Sequence, residues 1–325
     1  MSSLGKVLIT AKGVAGSGAA LERLRSAGCE VVVRDTPTPV TEAWLMEQTR
    51  DVAGLIFAME PVSARLIEGA SKLQVIARPA VGFDTVDIDA CTRRRIPVTL
   101  AVGTNHESVA DFTFALLLSV ARNVVAAVNA TQQREWPRFP GTEVWGKTLT
   151  ILGLGRVGKA VARRARGFDM RILAVTGTED REFATRFGVE FVSLEEGLRA
   201  ADFLSLHAPL SEATEGVINE RALAMMKPGA YLINTARGSL VDEAALAEAV
   251  RTRRLAGAAV DVLRQEGPGS SSPLIGVPGI LVTPHMATFA REASERVALA
   301  AVESVVQVLQ GQRPAHVANP AIYED

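Results

Sequence analysis

The chain has 325 residues, 48% of them hydrophobic and 22% charged, and its 35 basic and 36 acidic side chains leave a net charge of −1. That is ordinary globular composition at a length that asks for two domains rather than one core. It excludes the blocks of like charge that draw nucleic acid or an anionic membrane, and two cysteines, Cys29 and Cys91, make neither a disulfide framework nor a cysteine metal site.

In chain order, the opening "MSSLGKVLIT" lacks a basic region ahead of a long apolar stretch, and no segment reaches 18 uninterrupted apolar residues. The expected location is therefore the cytoplasm. Short β-rich runs follow, "KVLIT", "EVVVRD", "GLIFAM", "LQVIARPA" and "PVTLA", separated by helical patterns at the spacing of βα units. These predict a first parallel sheet. From Asn105 to Gln133 apolar residues recur every three or four positions without Pro or Gly, which predicts one long helix bridging to the second half of the chain. A mostly apolar helix has more than one face to bury, so a homodimer is expected through it. A second series, "MRILAV", "VEFV", "DFLSLHAP", "AYLINTA", "GAAVDV" and "GILVTPH", predicts a second parallel sheet, and Arg291 to Gln310 predicts a closing helix that packs on the first domain.

Between the two series lies "LTILGLGRVGKAVAR", a strand, a glycine turn and a helix. In that setting Gly153 permits the turn, Gly155 lets a pyrophosphate approach the backbone, and Gly158 lets the helix lie close on the strand. The helix N-terminus then offers unpaired N–H groups to an anion, with Arg156 and Val157 beside them. A glycine loop in mid-chain is explained if a Rossmann-type nucleotide domain, residues 102–285, is inserted into a flavodoxin-like substrate domain made of 1–101 and 286–325. The fold class is then α/β, with two doubly wound parallel sheets and a cleft between the domains.

Four stretches in this order, "GLGRVGKAVARRARGFDM", "INTARGSLVDEAAL", "GAAVDVLRQEGP" and "TPHMA", resemble the D-isomer-specific 2-hydroxyacid dehydrogenases, in particular the phosphoglycerate dehydrogenase and hydroxypyruvate or glyoxylate reductase branch. The resemblance implies a catalytic Arg237, Glu266 and His285. Those residue types suit the chemistry. A guanidinium fork can grip a 2-oxo acid's carboxylate while polarising its carbonyl, and an imidazole backed by a carboxylate can exchange the proton. It also implies a coenzyme side that takes in His207 and Pro209 of "HAPL", Thr214, Ala236 and Asp261, the last as acceptor for the nicotinamide carboxamide. Substrate anchoring falls on "ARPAVGFD", through backbone N–H groups of Val81 and Gly82 with charge added by Arg78; Pro79 and Ala80 depart from the family pattern. Arg134 and Arg138 flank Trp136 within reach of a substrate phosphate. Formate dehydrogenases of the family pair their His with Gln, so Glu266 points away from that chemistry.

The second strand of the nucleotide domain ends in Thr176, Gly177 and Thr178, where an NAD enzyme carries an acid for the ribose 2′-OH. NAD or NADP both stay open, with a lean to NADP. The expected activity is hydride transfer between NAD(P)H and C2 of a small 2-oxo acid, with no metal; a coenzyme-sensing binding protein of the same fold is the alternative.

Overall fold

The computed structural model describes residues 3–34, 40–83 and 85–324. The chain divides into two compact units, Met1–Asn105 with Ala290–Asp325, and His106–Phe289. The breaks fall at 105 and 290, against the 101 and 286 expected from sequence.

In the first unit five parallel strands, β1 (Gly5–Ile9), β2 (Cys29–Val33), β3 (Gly54–Ile56), β4 (Val75–Arg78) and β5 (Val98–Leu100), stand in the order β2-β1-β3-β4-β5. This is the flavodoxin-like order. Strands β3 and β4 are buried throughout because helices cover both faces, which is why their sequences are apolar runs rather than alternations. The closing helix, Arg291–Leu309, supplies part of that cover. It sets Ala298, Ala301, Val302, Val305 and Val306 against Val7, Ile9 and Leu24.

In the second unit seven parallel strands, β6 (Thr148–Leu152), β7 (Arg171–Val175), β8 (Val189–Phe191), β9 (Phe203–Leu206), β10 (Ala230–Asn234), β11 (Leu255–Val260) and β12 (Ile280–Val282), are ordered β12-β11-β10-β9-β6-β7-β8. Counted from its own first strand this is the Rossmann order with one strand added, reversing direction between β6 and β9. Two apolar clusters, one on each face, close the sandwich.

The single helix expected from Asn105 to Gln133 is two, His106–Ala121 and Val124–Gln132, bent by 66°. Asn123 sits at the bend in the left-handed region, which its short polar side chain tolerates, and its amide donates to Pro140 O at 2.8 Å. The returning chain completes the stop, since Thr142 N donates to Ala121 O at 2.7 Å and takes up a carbonyl that a continuing helix would have used. Among the described residues no single helix is long and apolar enough to cross a membrane.

Candidate active site

Five strands of the second sheet end at the same edge, and the residues singled out in sequence lie just beyond those ends. Gly153 follows β6, His207 follows β9, Arg237 closely follows β10, Asp261 follows β11 and His285 closely follows β12. Neighbouring parallel strands bring their carboxyl ends side by side, and the carboxyl edge of such a sheet is where its ligands bind.

At the β6 end the glycines are required by close approach. Gly153 has φ +96°, and a Cβ there would lie 2.6 Å from Ala208 N and His207 C. A Cβ on Gly158 would lie 2.1 Å from Gly153 O. Gly155 differs, for nothing stands within 4 Å of where its Cβ would be. It is the N-cap of helix Arg156–Ala165 and offers no side-chain cap. The helix therefore begins with uncapped N–H groups beneath an open cradle, which fits a dinucleotide pyrophosphate. Arg156 is exposed at the first helical position, and Val157 is half-buried behind it.

Beside this loop lies a histidine. The His207 ring meets the buried Ser205 hydroxyl at 2.8 Å, and burial pushes its pKa down to about 3, so it is neutral at ordinary pH. Thr214 folds the following turn by donating to Pro209 O at 2.7 Å. At the end of β7, Thr176 and Thr178 are joined side chain to backbone, at 3.2 Å from the Thr176 hydroxyl to Thr178 O. Neither acid that follows is free. Glu179 pairs with Arg181 at 3.1 Å, and Asp180 pairs with Lys159 at 2.5 Å while capping helix Arg181–Phe187. The lysine and that cap hold the Asp180 carboxyl below its ordinary range.

At the β12 end His285 Nδ1 lies 2.8 Å and 3.0 Å from the two Glu266 carboxylate oxygens. A carboxylate has no proton to give, so Nδ1 donates and Nε2 is left as the nitrogen that can exchange a proton. Glu266 also accepts from Leu263 N at 3.4 Å. His285 has φ +52°, an uncommon conformation for a residue other than glycine. Asp261, 1% exposed, holds it there. Its carbonyl accepts from His285 N, and its carboxylate accepts from the Thr283 hydroxyl at 2.6 Å, Met286 N at 2.9 Å and Ala287 N at 2.8 Å. The Asp261 carboxylate is thus engaged by the turn that carries His285.

Arg237 is half-buried after β10. One terminal nitrogen donates to Ala236 O at 2.7 Å, and among the described residues the guanidinium has no ion pair, which leaves its charge for a ligand. Asn234 shapes the turn, accepting from Ala236 N and donating to Arg237 O.

In the first unit, Val81 is 45% exposed and Gly82 is half-exposed on the loop after β4. Arg78, expected to add charge there, is instead 8% exposed beneath its own loop. It donates to Gly82 O at 3.1 Å and to Met59 Sδ at 3.3 Å, and lies over the Phe57 ring. A guanidinium supplies several donors in a fixed fork, and here they brace the loop. Arg134 and Arg138 lie on an exposed stretch around Trp136. Among the described residues no three His, Cys, Asp or Glu side chains gather as a metal site.

Residues 114–287 match the model of the D-isomer-specific 2-hydroxyacid dehydrogenase NAD-binding domain, more than half of the chain. The chain belongs to the D-isomer-specific 2-hydroxyacid dehydrogenase family. It is 38% identical over 291 residues to a glyoxylate reductase of Korarchaeum cryptofilum, covering 87% of this chain and 88% of that one. It is also 38% identical over 287 residues to the D-3-phosphoglycerate dehydrogenase of Mycobacterium bovis, covering 88% of this chain but 54% of that longer protein. The TT0316 protein of Thermus thermophilus superposes with a TM-score of 0.87 at 38% identity, covering 96% of this chain and 99% of that one. As a member of this family the protein is an NAD(P)-dependent oxidoreductase acting on D-2-hydroxy acids.

Proposed function

We propose that the protein reduces small 2-oxo acids to D-2-hydroxy acids, with Arg237 binding substrate and His285, backed by Glu266, exchanging the proton. The observation that carries this is the 2.8 Å contact between His285 and Glu266 at the same sheet edge as the glycine loop. When bound, the reduced nicotinamide supplies the hydride for C2. The oxygen at C2 then needs a proton, and protonated His285 gives it from Nε2 while Glu266 stabilises the charged ring and fixes its orientation. Arg237 draws the substrate carboxylate and polarises the adjacent carbonyl. Val81 and Gly82 remain candidates for holding the carboxylate through backbone N–H groups. The first test is loss of absorbance at 340 nm with NADH and with NADPH against a panel of 2-oxo acids, glyoxylate and hydroxypyruvate among them. Turnover supports the assignment; coenzyme binding with no turnover on any member favours a sensing protein instead.

For the coenzyme the reading is NADP. No carboxylate ends β7, and Glu179 and Asp180 are both neutralised by cations of their own, so neither competes with a 2′-phosphate. NADPH should then bind more tightly than NADH, and Thr176→Asp should reverse the order by supplying the missing acceptor for a 2′-OH. Fluorescence titration of both coenzymes reads this without any substrate. Equal affinities in wild type would overturn it. A homodimer is supported by Val124, Val125 and Val128, each more than 40% exposed on the second of the two helices, and sedimentation tests it. A cytoplasmic location is supported by Cys29 and Cys91, both buried free thiols.

A further inference from the structure

Glu266 stands on a stretch without regular secondary structure, residues 264–272, whose sequence "RQEGPGSSS" is rich in glycine and serine. Such a loop has many conformations available, so something must hold it if its carboxylate is to meet His285 at 2.8 Å. Internal bonds shape its tip: Ser270 N donates to Gly267 O, and the Ser270 hydroxyl to Gln265 O. Its two ends are joined by one side chain from elsewhere. Glu243, 8% exposed at the start of helix Glu243–Arg251, accepts from Arg264 N through one carboxylate oxygen and from the Ser272 hydroxyl through the other, each at 2.7 Å.

The peptide that Glu243 grips is also packed from a second side. A Cβ on Gly238, next to Arg237, would fall 2.1 Å from Leu263 C and 2.4 Å from Arg264 N. The Arg237 turn therefore rests directly on the Leu263–Arg264 peptide, and Leu263 N in turn donates to Glu266. The two successive peptides on either side of the Leu263 Cα thus set the place of the arginine turn and of the carboxylate that backs the histidine.

We infer that Glu243 is a positioning residue: by clipping the loop at Arg264 and Ser272 it sets Glu266 against His285. This rests on the assignment of Glu266 and His285 to proton exchange. Without the clip the loop loosens, Glu266 spends less time on Nδ1, and the imidazole loses the partner that favours its charged form. Reduction uses the protonated ring, so the loss of rate on the alkaline side should come at lower pH in the variant.

The experiment compares wild type with Glu243→Ala, Glu243→Gln, Ser272→Ala, Glu266→Gln and His285→Ala. For each, the pH profile of kcat/KM for 2-oxo acid reduction is recorded with the coenzyme dissociation constant and Tm. Glu243→Ala should lower kcat about tenfold or more and move the alkaline limb of the profile to lower pH, with coenzyme affinity unchanged. Glu243→Gln should recover most of both, since an amide can accept from Arg264 N and donate to Ser272. Ser272→Ala, which removes one arm of the clip, should shift the limb less but in the same direction, and serves if Glu243→Ala does not fold. A wild-type limb in both Glu243→Ala and Ser272→Ala, or in Ser272→Ala alone if the first does not fold, overturns the inference, whatever happens to Tm. If Glu266→Gln and His285→Ala also keep the wild-type profile, it is the proton-exchange assignment itself that has failed.

Discussion

The two ends of the active edge are built by opposite means. At β6 the geometry depends on side chains that are missing: Gly158 lies so close to Gly153 O that a single carbon will not fit, and Gly155 leaves open space above uncapped N–H groups. At β12 it depends on side chains that grip, with Asp261 holding a left-handed His285 and Glu243 holding the loop of Glu266. The first end offers backbone N–H groups, with the exposed Arg156 beside them. The second presents an imidazole and a carboxylate at the surface: the His285 and Glu266 side chains are 43% and 36% exposed.

The largest effect should follow from filling the first end. Gly158→Ala puts a carbon 2.1 Å from a carbonyl that belongs to the same turn, so strand and helix must separate. A stability loss of about 3 kcal/mol is expected, with coenzyme binding abolished. Chemical denaturation and coenzyme titration check it, and a variant that binds coenzyme normally would show that the close approach is not needed.

Removing His285 should leave that end intact. His285→Ala is expected to cut turnover by about 10²- to 10⁴-fold while the coenzyme dissociation constant stays at its wild-type value. Asp261→Asn is the intermediate case. An amide cannot accept from the Thr283 hydroxyl and from both Met286 N and Ala287 N in the present arrangement, so one buried donor is left facing an NH₂. A cost of about 2 kcal/mol is expected, with turnover reduced and coenzyme still bound. Equal stability of Asp261→Asn and wild type would mean that the turn is held by other means.

The same contrast decides what could be read from sequence. Glycines at fixed spacing between an apolar run and a helical pattern announce a backbone geometry, because only a missing Cβ permits it, and so the loop and both sheets were legible. The motif also brought out Arg237, Glu266 and His285. What holds them was not legible. Glu243 follows Asp242, which already caps the helix, so a second acid there has a sufficient local explanation in the helix dipole. Nothing in the chain announces that its carboxylate spans residues 264 and 272, because that contact exists only once β10 and β11 pair. The partners of Asp261 in the His285 turn were hidden for a related reason: they lie about two dozen positions away. A strand-end arginine such as Arg78 suggests a ligand, whereas Gly82, Met59 and Phe57 engage it. The stop at Asn123 depends likewise on the chain returning at Pro140 and Thr142.

The last effect shows only on acidification and concerns a buried ring at the first end. His207, whose backbone packs on Gly153, has an imidazole pushed down to about 3 by burial, against 6.5 for an ordinary histidine. The folded ring is therefore neutral where the unfolded one begins to take up a proton. As pH falls below about 6.5 the unfolded chain binds a proton that the native chain refuses, so unfolding becomes easier until about pH 3, where the native ring also protonates. Each pH unit in that window costs up to about 1.4 kcal/mol, and above pH 7 nothing. His207→Gln removes the titration while keeping a partner for Ser205. The variant should thus lose less stability than wild type between pH 6.5 and 4, and differ from it by a constant amount at higher pH. Parallel pH curves for the two proteins would mean that water reaches the ring and that its burial adds nothing to the acid sensitivity of the fold.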